Sequence, residues 1–283
     1  MKSSRQLKDL IKNMAKEKDI NSQILLRNYM LERLLERIAL SDFRNNFILK
    51  GGMLVAAIVG VDMRSTIDMD ATMKGFPLTK ESIQRAINII LSVPVNDGVT
   101  MMLKKTDEIR DEGLYAGFRL SLESRIDNAR IPIKVDITTG DQITPKETIY
   151  KFKLLLEDRY IDVLAYNIET VMAEKLETMI SRGIANTRMR DFYDIYILLK
   201  LQESNITPEL LTKAVLDTAE RRETMFQLME GTTILEEVLS SEVLYKSWQR
   251  FRKKYMYADD ITWEAITESV FKLWKMIDFG SEK

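Results

Sequence analysis

The sequence predicts an α+β domain with helices before it and a helical C-terminal part. Three observations carry this. Residues from about Ser4 to Leu40 repeat apolar positions at helical spacing; residues from Phe47 to Asn167 carry short strand-like runs separated by Gly, Pro and Asn; and from Ile168 the strand signal stops while helical periods return. The expected division is residues 1–167 and residues 168–283.

In chain order, Leu7, Leu10, Ile11 and Met14, then Leu31, Leu34, Leu35 and Ile38, mark two amphipathic helices. FILK (residues 47–50) reads as a strand that meets Gly51-Gly52 and an apolar helix from Met53 to Val59. TIDMDATMK follows as a strand, then a helix near Thr79 to Leu91, then the strand-like runs VTMMLKK, YAGFRLSLES, IPIKVDITT and YIDVLAY. No internal repeat or low-complexity segment is present.

The chain has 283 residues with 42 Lys+Arg against 43 Asp+Glu, and 45% apolar with 30% charged residues, a composition that supports a packed core. It contains no Cys and no His, which excludes disulfides, thiolate zinc sites, Cys nucleophiles and Ser-His-Asp triads. Any chemistry must come from carboxylates, Lys, Arg, hydroxyls and a hard, oxygen-liking cation such as magnesium. The near-zero net charge gives no whole-chain attraction to nucleic acid or to an anionic membrane. The charged N-terminal stretch lacks the apolar run of a signal peptide, and the longest apolar run, Met53 to Val61, falls far short of the roughly 20 residues that span a bilayer. A cytoplasmic protein without a membrane partner is the expectation.

Two strands place carboxylates in one pattern. From Thr66 to Met73, alternation puts Ile67, Met69 and Ala71 on one face and Thr66, Asp68, Asp70 and Thr72 on the other. Asp68 and Asp70 therefore share a side, about 7 Å apart along the strand. Ile133, Val135 and Ile137 alternate in the same way with Lys134, Asp136 and Thr138. A solvated polar face explains one strand Asp, but Asp suits strand interiors poorly, and three on two strands point to a divalent-cation site. Ahead of them, the Gly51-Gly52 turn entering a helix offers backbone N–H groups and a positive dipole end to phosphate. Neither a P-loop nor a dinucleotide-binding glycine pattern occurs.

The order strand, Gly-Gly turn, helix, RSTIDMD and then a strand with Asp136 resembles the nucleotidyltransferase fold of the DNA polymerase beta superfamily. More narrowly, KGGMLVAAIVG, RSTIDMD, KVDITTGD, AEKLETMISR and RDFYDI are similar to the AbiEii family, the toxin half of abortive-infection toxin–antitoxin systems. The resemblance runs from about Phe47 to Leu199. It implies a nucleotidyltransferase-like mixed sheet, an NTP substrate and two Mg2+ ions on Asp68, Asp70 and Asp136. It also implies catalytic roles for these three with Lys175 and Asp194, and nucleotide binding by Lys50, Gly51, Gly52, Arg64, Ser65, Lys175, Arg182 and Asp191. The superfamily turn is usually Gly-Ser; with Gly51-Gly52 here, the serine contact is absent or replaced, and Ser65 is the candidate replacement.

On the helix from Ile168 to Arg182, Lys175 lies inside the apolar stripe of Ile168, Val171, Met172, Leu176 and Met179, with Arg182 a heptad further along. A cation there needs a partner or a cleft, unless it snorkels at the stripe's edge. Asp194 stands in an otherwise apolar run from Phe192 to Leu199 and needs a cation, with Lys175, Arg182 and Arg190 as candidates. Asp191 also fits a first-turn residue of that helix. In the tail, Trp248 to Tyr257 interleaves aromatics with Arg250, Arg252, Lys253 and Lys254, a pattern of either an RNA patch or an amphipathic helix.

The function expected is Mg-dependent transfer of a nucleotide from an NTP to an RNA acceptor, tRNA by resemblance, causing growth inhibition, abortive infection and phage defence relieved by a cognate antitoxin, with direct antitoxin binding left open. The alternatives are a nucleotidyltransferase acting on a protein or small-molecule hydroxyl, and a non-catalytic binding module.

Overall fold

A computed structural model describes residues 4–77, 79–110 and 116–279. The chain forms two compact units: Met1–Asp141 with Thr148–Ala165, and Gln142–Glu147 with Tyr166–Lys283.

The first unit opens with helices α1 (Ser4–Glu17) and α2 (Ser22–Leu40), where the two early apolar periods place them. The Asn21 side chain caps α2 by accepting from the Gln23 N–H at 2.8 Å. Then come β1 (Phe47–Lys50), α3 (Gly51–Val59), β2 (Asp68–Met73), α4 (Lys80–Ser92), β3 (Val99–Arg110), β4 (Ala116–Ile126), β5 (Ala129–Thr139), β6 (Thr148–Lys153) and β7 (Tyr160–Ala165). A reciprocal capping box between Thr79 and Ser82 starts α4. Tyr115, the first residue of the expected YAGFRLSLES strand, lies outside the described residues.

The seven strands form one mixed sheet in the order β3-β4-β5-β2-β1-β7-β6. Pairs β2/β5 and β1/β7 are parallel, and β1/β2, β3/β4, β4/β5 and β6/β7 are antiparallel. Strand β6 is absent from the sequence reading. In Thr-Ile-Tyr-Lys-Phe-Lys the apolar residues do not alternate cleanly, because Ile149 at this sheet edge is 71% exposed while Phe152 is buried.

Helix α2 packs on the sheet at β5 and β7 and touches α1 and α4. Its Leu31, Leu34, Leu35 and Ile38 are buried, and burial of one such side chain contributes about 1.5–3 kcal/mol. Its Glu32, Arg33, Glu36 and Arg37 are buried too, so each needs partners. Arg37 donates to Asp97 at 2.7 and 3.0 Å and to the Val99 carbonyl at 2.7 Å, and Arg33 is held by Glu32, Glu36 and Glu157.

The second unit contains α5 (Ile168–Arg182), α6 (Met189–Gln202), α7 (Pro208–Arg221), α8 (Met225–Met229), α9 (Gly231–Ser240), α10 (Glu242–Lys254) and α11 (Trp263–Lys275). Asn167 caps α5 by accepting from the Thr170 N–H at 2.8 Å, and Gly183 at φ +52° ends it. Residues 142–147 are tied into this unit by Thr144: its N–H donates to the Thr170 hydroxyl, its hydroxyl to Asp217, and its carbonyl accepts from the Asn167 amide. Among the described residues no helix is long and apolar enough to cross a membrane.

Candidate active site

The first unit aligns four charged residues across adjacent strands. Lys50 of β1 is the register partner of Asp70 on β2, Asp70 of Asp136 on β5, and Asp136 of Arg119 on β4. Register partners present side chains on one face, so the sheet carries the row Lys50, Asp70, Asp136, Arg119, with Asp68 one pleat along from Asp70. Burial alternates accordingly: Met69, Ala71, Val135 and Ile137 are buried, while Asp68, Asp70 and Asp136 are only partly buried.

The glycine turn fits against this row. Gly51 adopts φ +65°, and a Cβ there would collide with Asp70 Oδ2. The Gly52 N–H donates to the same oxygen at 3.3 Å. A Cβ on Gly52 would stand 3.0 Å from the Thr66 hydroxyl and 3.1 Å from Arg64 Nη2. The space that a serine would enter in a Gly-Ser turn is therefore bordered by the buried Arg64 and Thr66. Ser65, also buried, offers its carbonyl to Arg64 Nη1 at 2.6 Å.

Charge is unevenly settled along the row. Burial raises the Asp70 pKa; Lys50 pulls it down, Asp136 pushes it up, the Gly52 N–H pulls down and Asp68 pushes up, with a net rise. Lys50 is committed elsewhere, since its ammonium meets Asp141 at 2.6 Å. Asp141 is buried, which opposes its charge, but the Lys50 ammonium and hydrogen bonds from Lys50, Thr138 and Thr72 hold its pKa below the usual value. Asp136 is gripped by the Arg119 guanidinium in a two-pronged pair, Nε to Oδ1 at 2.8 Å and Nη2 to Oδ2 at 2.6 Å.

Asp68, Asp70 and Asp136 fit a hard divalent cation: all are oxygen donors on one face, and burial first, then the neighbouring charges of Asp136 and Asp68, raise the pKa of Asp70, costs that a bound cation would offset. Among the described residues no three carboxylates already converge as ion ligands. Sequence reasoning missed Asp141 and Arg119. Asp141 lies beyond the end of β5, where strand parity no longer applies; Arg119 alternates with buried Phe118 and Leu120 as any surface residue would.

The second unit brings together another sequence-flagged set. Lys175 of α5 bridges two carboxylates of α6, Asp191 at 2.9 Å and Asp194 at 2.7 Å, and Asp194 is fully buried. Burial alone would lower the lysine's pKa, but Asp191 and then Asp194 outweigh it and raise it. Arg188 forms an ion pair with the second Asp191 oxygen at 2.7 Å. Arg182 sits half-buried in the last turn of α5, and Arg190 donates to the Tyr255 hydroxyl at 3.0 Å.

The tail segment is largely an amphipathic helix. Trp248 and Phe251 are buried and stacked at 5.3 Å, Trp248 also meets Trp263, and Phe251 packs on Tyr193, Tyr255 and Tyr257. Arg250, Lys253 and Lys254 are exposed.

Two solved structures share the fold. A candidate nucleotidyltransferase from H. pylori aligns with TM-score 0.52 and 15% identity, covering 91% of this chain and 94% of that one. JHP933 from Helicobacter pylori aligns with TM-score 0.52 and 15% identity, covering 90% of each. No curated protein matches the sequence. The family described as nucleotidyl transferase AbiEii toxin, type IV toxin–antitoxin system, matches residues 33–269, so the chain belongs to that family and is a nucleotidyltransferase.

Proposed function

We propose that this enzyme transfers a nucleotide from an NTP to an RNA acceptor, tRNA in the first instance, with Mg2+ held by Asp68, Asp70 and Asp136. The observation that carries the reading is the pairing of Asp70 with Asp136 on parallel strands, Asp68 beside them and the glycine turn against Asp70. When bound there, divalent cations lower the pKa of an acceptor hydroxyl and neutralise charge on the leaving pyrophosphate.

The chain's own groups supply the rest. The start of α3, with the N–H groups of Gly51 and Gly52 and the cation Arg64 nearby, orients phosphate, and Lys50 adds positive charge from its pair with Asp141. Ser65 lines the same segment. Without His or Cys, Asp136 is the group placed to accept the acceptor's proton, once Arg119 no longer holds both its oxygens. Lys175, Arg182, Asp191 and Asp194 form the second set assigned to nucleotide binding and catalysis. In it Lys175 is the cation offered to the nucleotide, and the two aspartates fix its ammonium.

Growth inhibition in phage defence, a cytoplasmic location and relief by an antitoxin complete the proposal. Incubation with each labelled NTP and Mg2+, together with total RNA or total protein, tests it. Label in RNA of tRNA size supports it, and label confined to protein or to small molecules moves the acceptor to those hydroxyls.

A further inference from the structure

Arg119 is the member of the charged row for which the reaction above has no direct use. Its side chain is half-exposed, yet it forks onto both oxygens of Asp136. We propose that Arg119 is a nucleotide-phosphate ligand held in reserve on Asp136: in the ligand-free protein its guanidinium occupies the carboxylate that the divalent cation takes, and on cation binding it moves to the triphosphate. The proposal rests on the reading of Asp68, Asp70 and Asp136 as the metal carboxylates.

Geometry and charge favour Arg119 over Lys50 for this exchange. The Lys50 ammonium is 12% exposed and locked to Asp141, which Thr138 also holds, so it has a buried partner to keep. Arg119 and Asp136 are 46% and 20% exposed, and a pair open to water separates at low cost. The guanidinium also senses the whole cluster. The hydrogen bond and charge of Asp136 raise its pKa most, burial opposes, and Asp68 and Asp70 raise it further. A planar fork that fits a carboxylate fits a phosphate equally well, so the side chain keeps a paired anion throughout. The exchange also keeps positive charge on Asp136 before substrate arrives, when three carboxylates share one face.

The test is Mn2+ titration of the full chain without nucleotide, followed by titration with a non-hydrolysable NTP analogue at saturating Mn2+. Arg119→Ala should bind Mn2+ about two- to fivefold more tightly than wild type, the cost of opening one exposed pair, and the analogue about tenfold more weakly, because a forked charged contact to phosphate is lost. Arg119→Lys, which keeps the charge but not the fork, should fall between, and serves if the alanine variant does not fold. Lys134, exposed and the register partner of Asp68, controls for simple loss of positive charge. Equal shifts in Mn2+ affinity for Arg119→Ala and Lys134→Ala, or unchanged analogue affinity in Arg119→Ala, would overturn the exchange while leaving the metal site standing. Mn2+ binding that is insensitive to Asp70→Ala removes the metal reading itself and this proposal with it.

Discussion

Asp70 and Asp136 are register partners on adjacent parallel strands, and the negative charge of Asp136 adds to burial in raising the Asp70 pKa. Asp70→Asn should therefore leave the metal-free protein as stable as wild type, or more so, while transfer falls at least about a hundredfold, the scale of losing one charge-stabilising group. Melting in EDTA beside a labelled-NTP assay reads both. An Asp70→Asn protein that melts much earlier in EDTA would mean the carboxylate is a structural acceptor for the glycine turn.

Gly51 is where the turn and the carboxylate meet. At φ +65°, with Asp70 Oδ2 in the space a Cβ would take, Gly51→Ala must move either the turn or the aspartate. The left-handed conformation alone costs a non-glycine residue about 1–2 kcal/mol, and the collision adds to it. The expected outcome is a lower melting temperature and lost transfer together. Gly51→Ala/Asp70→Gly should recover the part of the loss that the collision causes, keep the left-handed strain, and not recover transfer. A single variant with wild-type stability would show that the turn relaxes freely.

How far this was legible follows from where the information lies. The alternation around Asp68, Asp70 and Asp136 is local, and a period of two reveals it from one strand at a time. That β2 and β5 lie side by side and parallel is not local: it depends on the order β3-β4-β5-β2-β1-β7-β6, which no spacing in the chain encodes. Hence Arg119, paired with Asp136 of β5, and Asp141, paired with Lys50 of β1, were invisible. Lys175 and Asp194 were legible as a problem, a charge on an apolar face, and the structure chooses Lys175 over Arg190 as a cation that meets Asp194.

Stability should depend on pH through Glu32. Burial raises its pKa from 4.5 to about 7, although Arg33 and the Leu155 N–H pull the other way. The folded protein thus binds this proton more tightly than the unfolded chain. Ionised Glu32 costs stability above pH 7, and the cost is relieved as pH falls from 7 towards 4.5, by an amount on the order of 2–3 kcal/mol. Urea unfolding of wild type and Glu32→Gln across this window isolates the effect. The difference between the two proteins should change with pH, and parallel curves would assign the ionisation elsewhere.

The tail bears on the acceptor. Trp248 is fully buried, so Trp248→Ala should cost about 3–5 kcal/mol whatever the acceptor is. Neutralising exposed Arg250, Lys253 and Lys254 should leave melting unchanged. If these residues touch RNA phosphates, the slope of log affinity against log salt should shrink by nearly one for each phosphate that is no longer neutralised. An unchanged slope would return the segment to a purely structural role.

Lys175 joins packing to chemistry in the second unit. Its ammonium is shared by Asp191 and Asp194, and Arg188 reaches only Asp191. In Lys175→Met the shape is largely kept, but buried Asp194 loses a charged partner, and breaking such a pair costs about 3–5 kcal/mol. Replacing both, as Lys175→Met/Asp194→Leu, removes the stranded charge and should restore much of the stability. If Lys175 also contacts the nucleotide, as proposed, the double variant will be stable and inactive, with NTP binding weakened. A stable double variant with wild-type transfer kinetics would make the pair wholly structural, and a single variant as stable as wild type would mean that Asp194 does not depend on this ammonium.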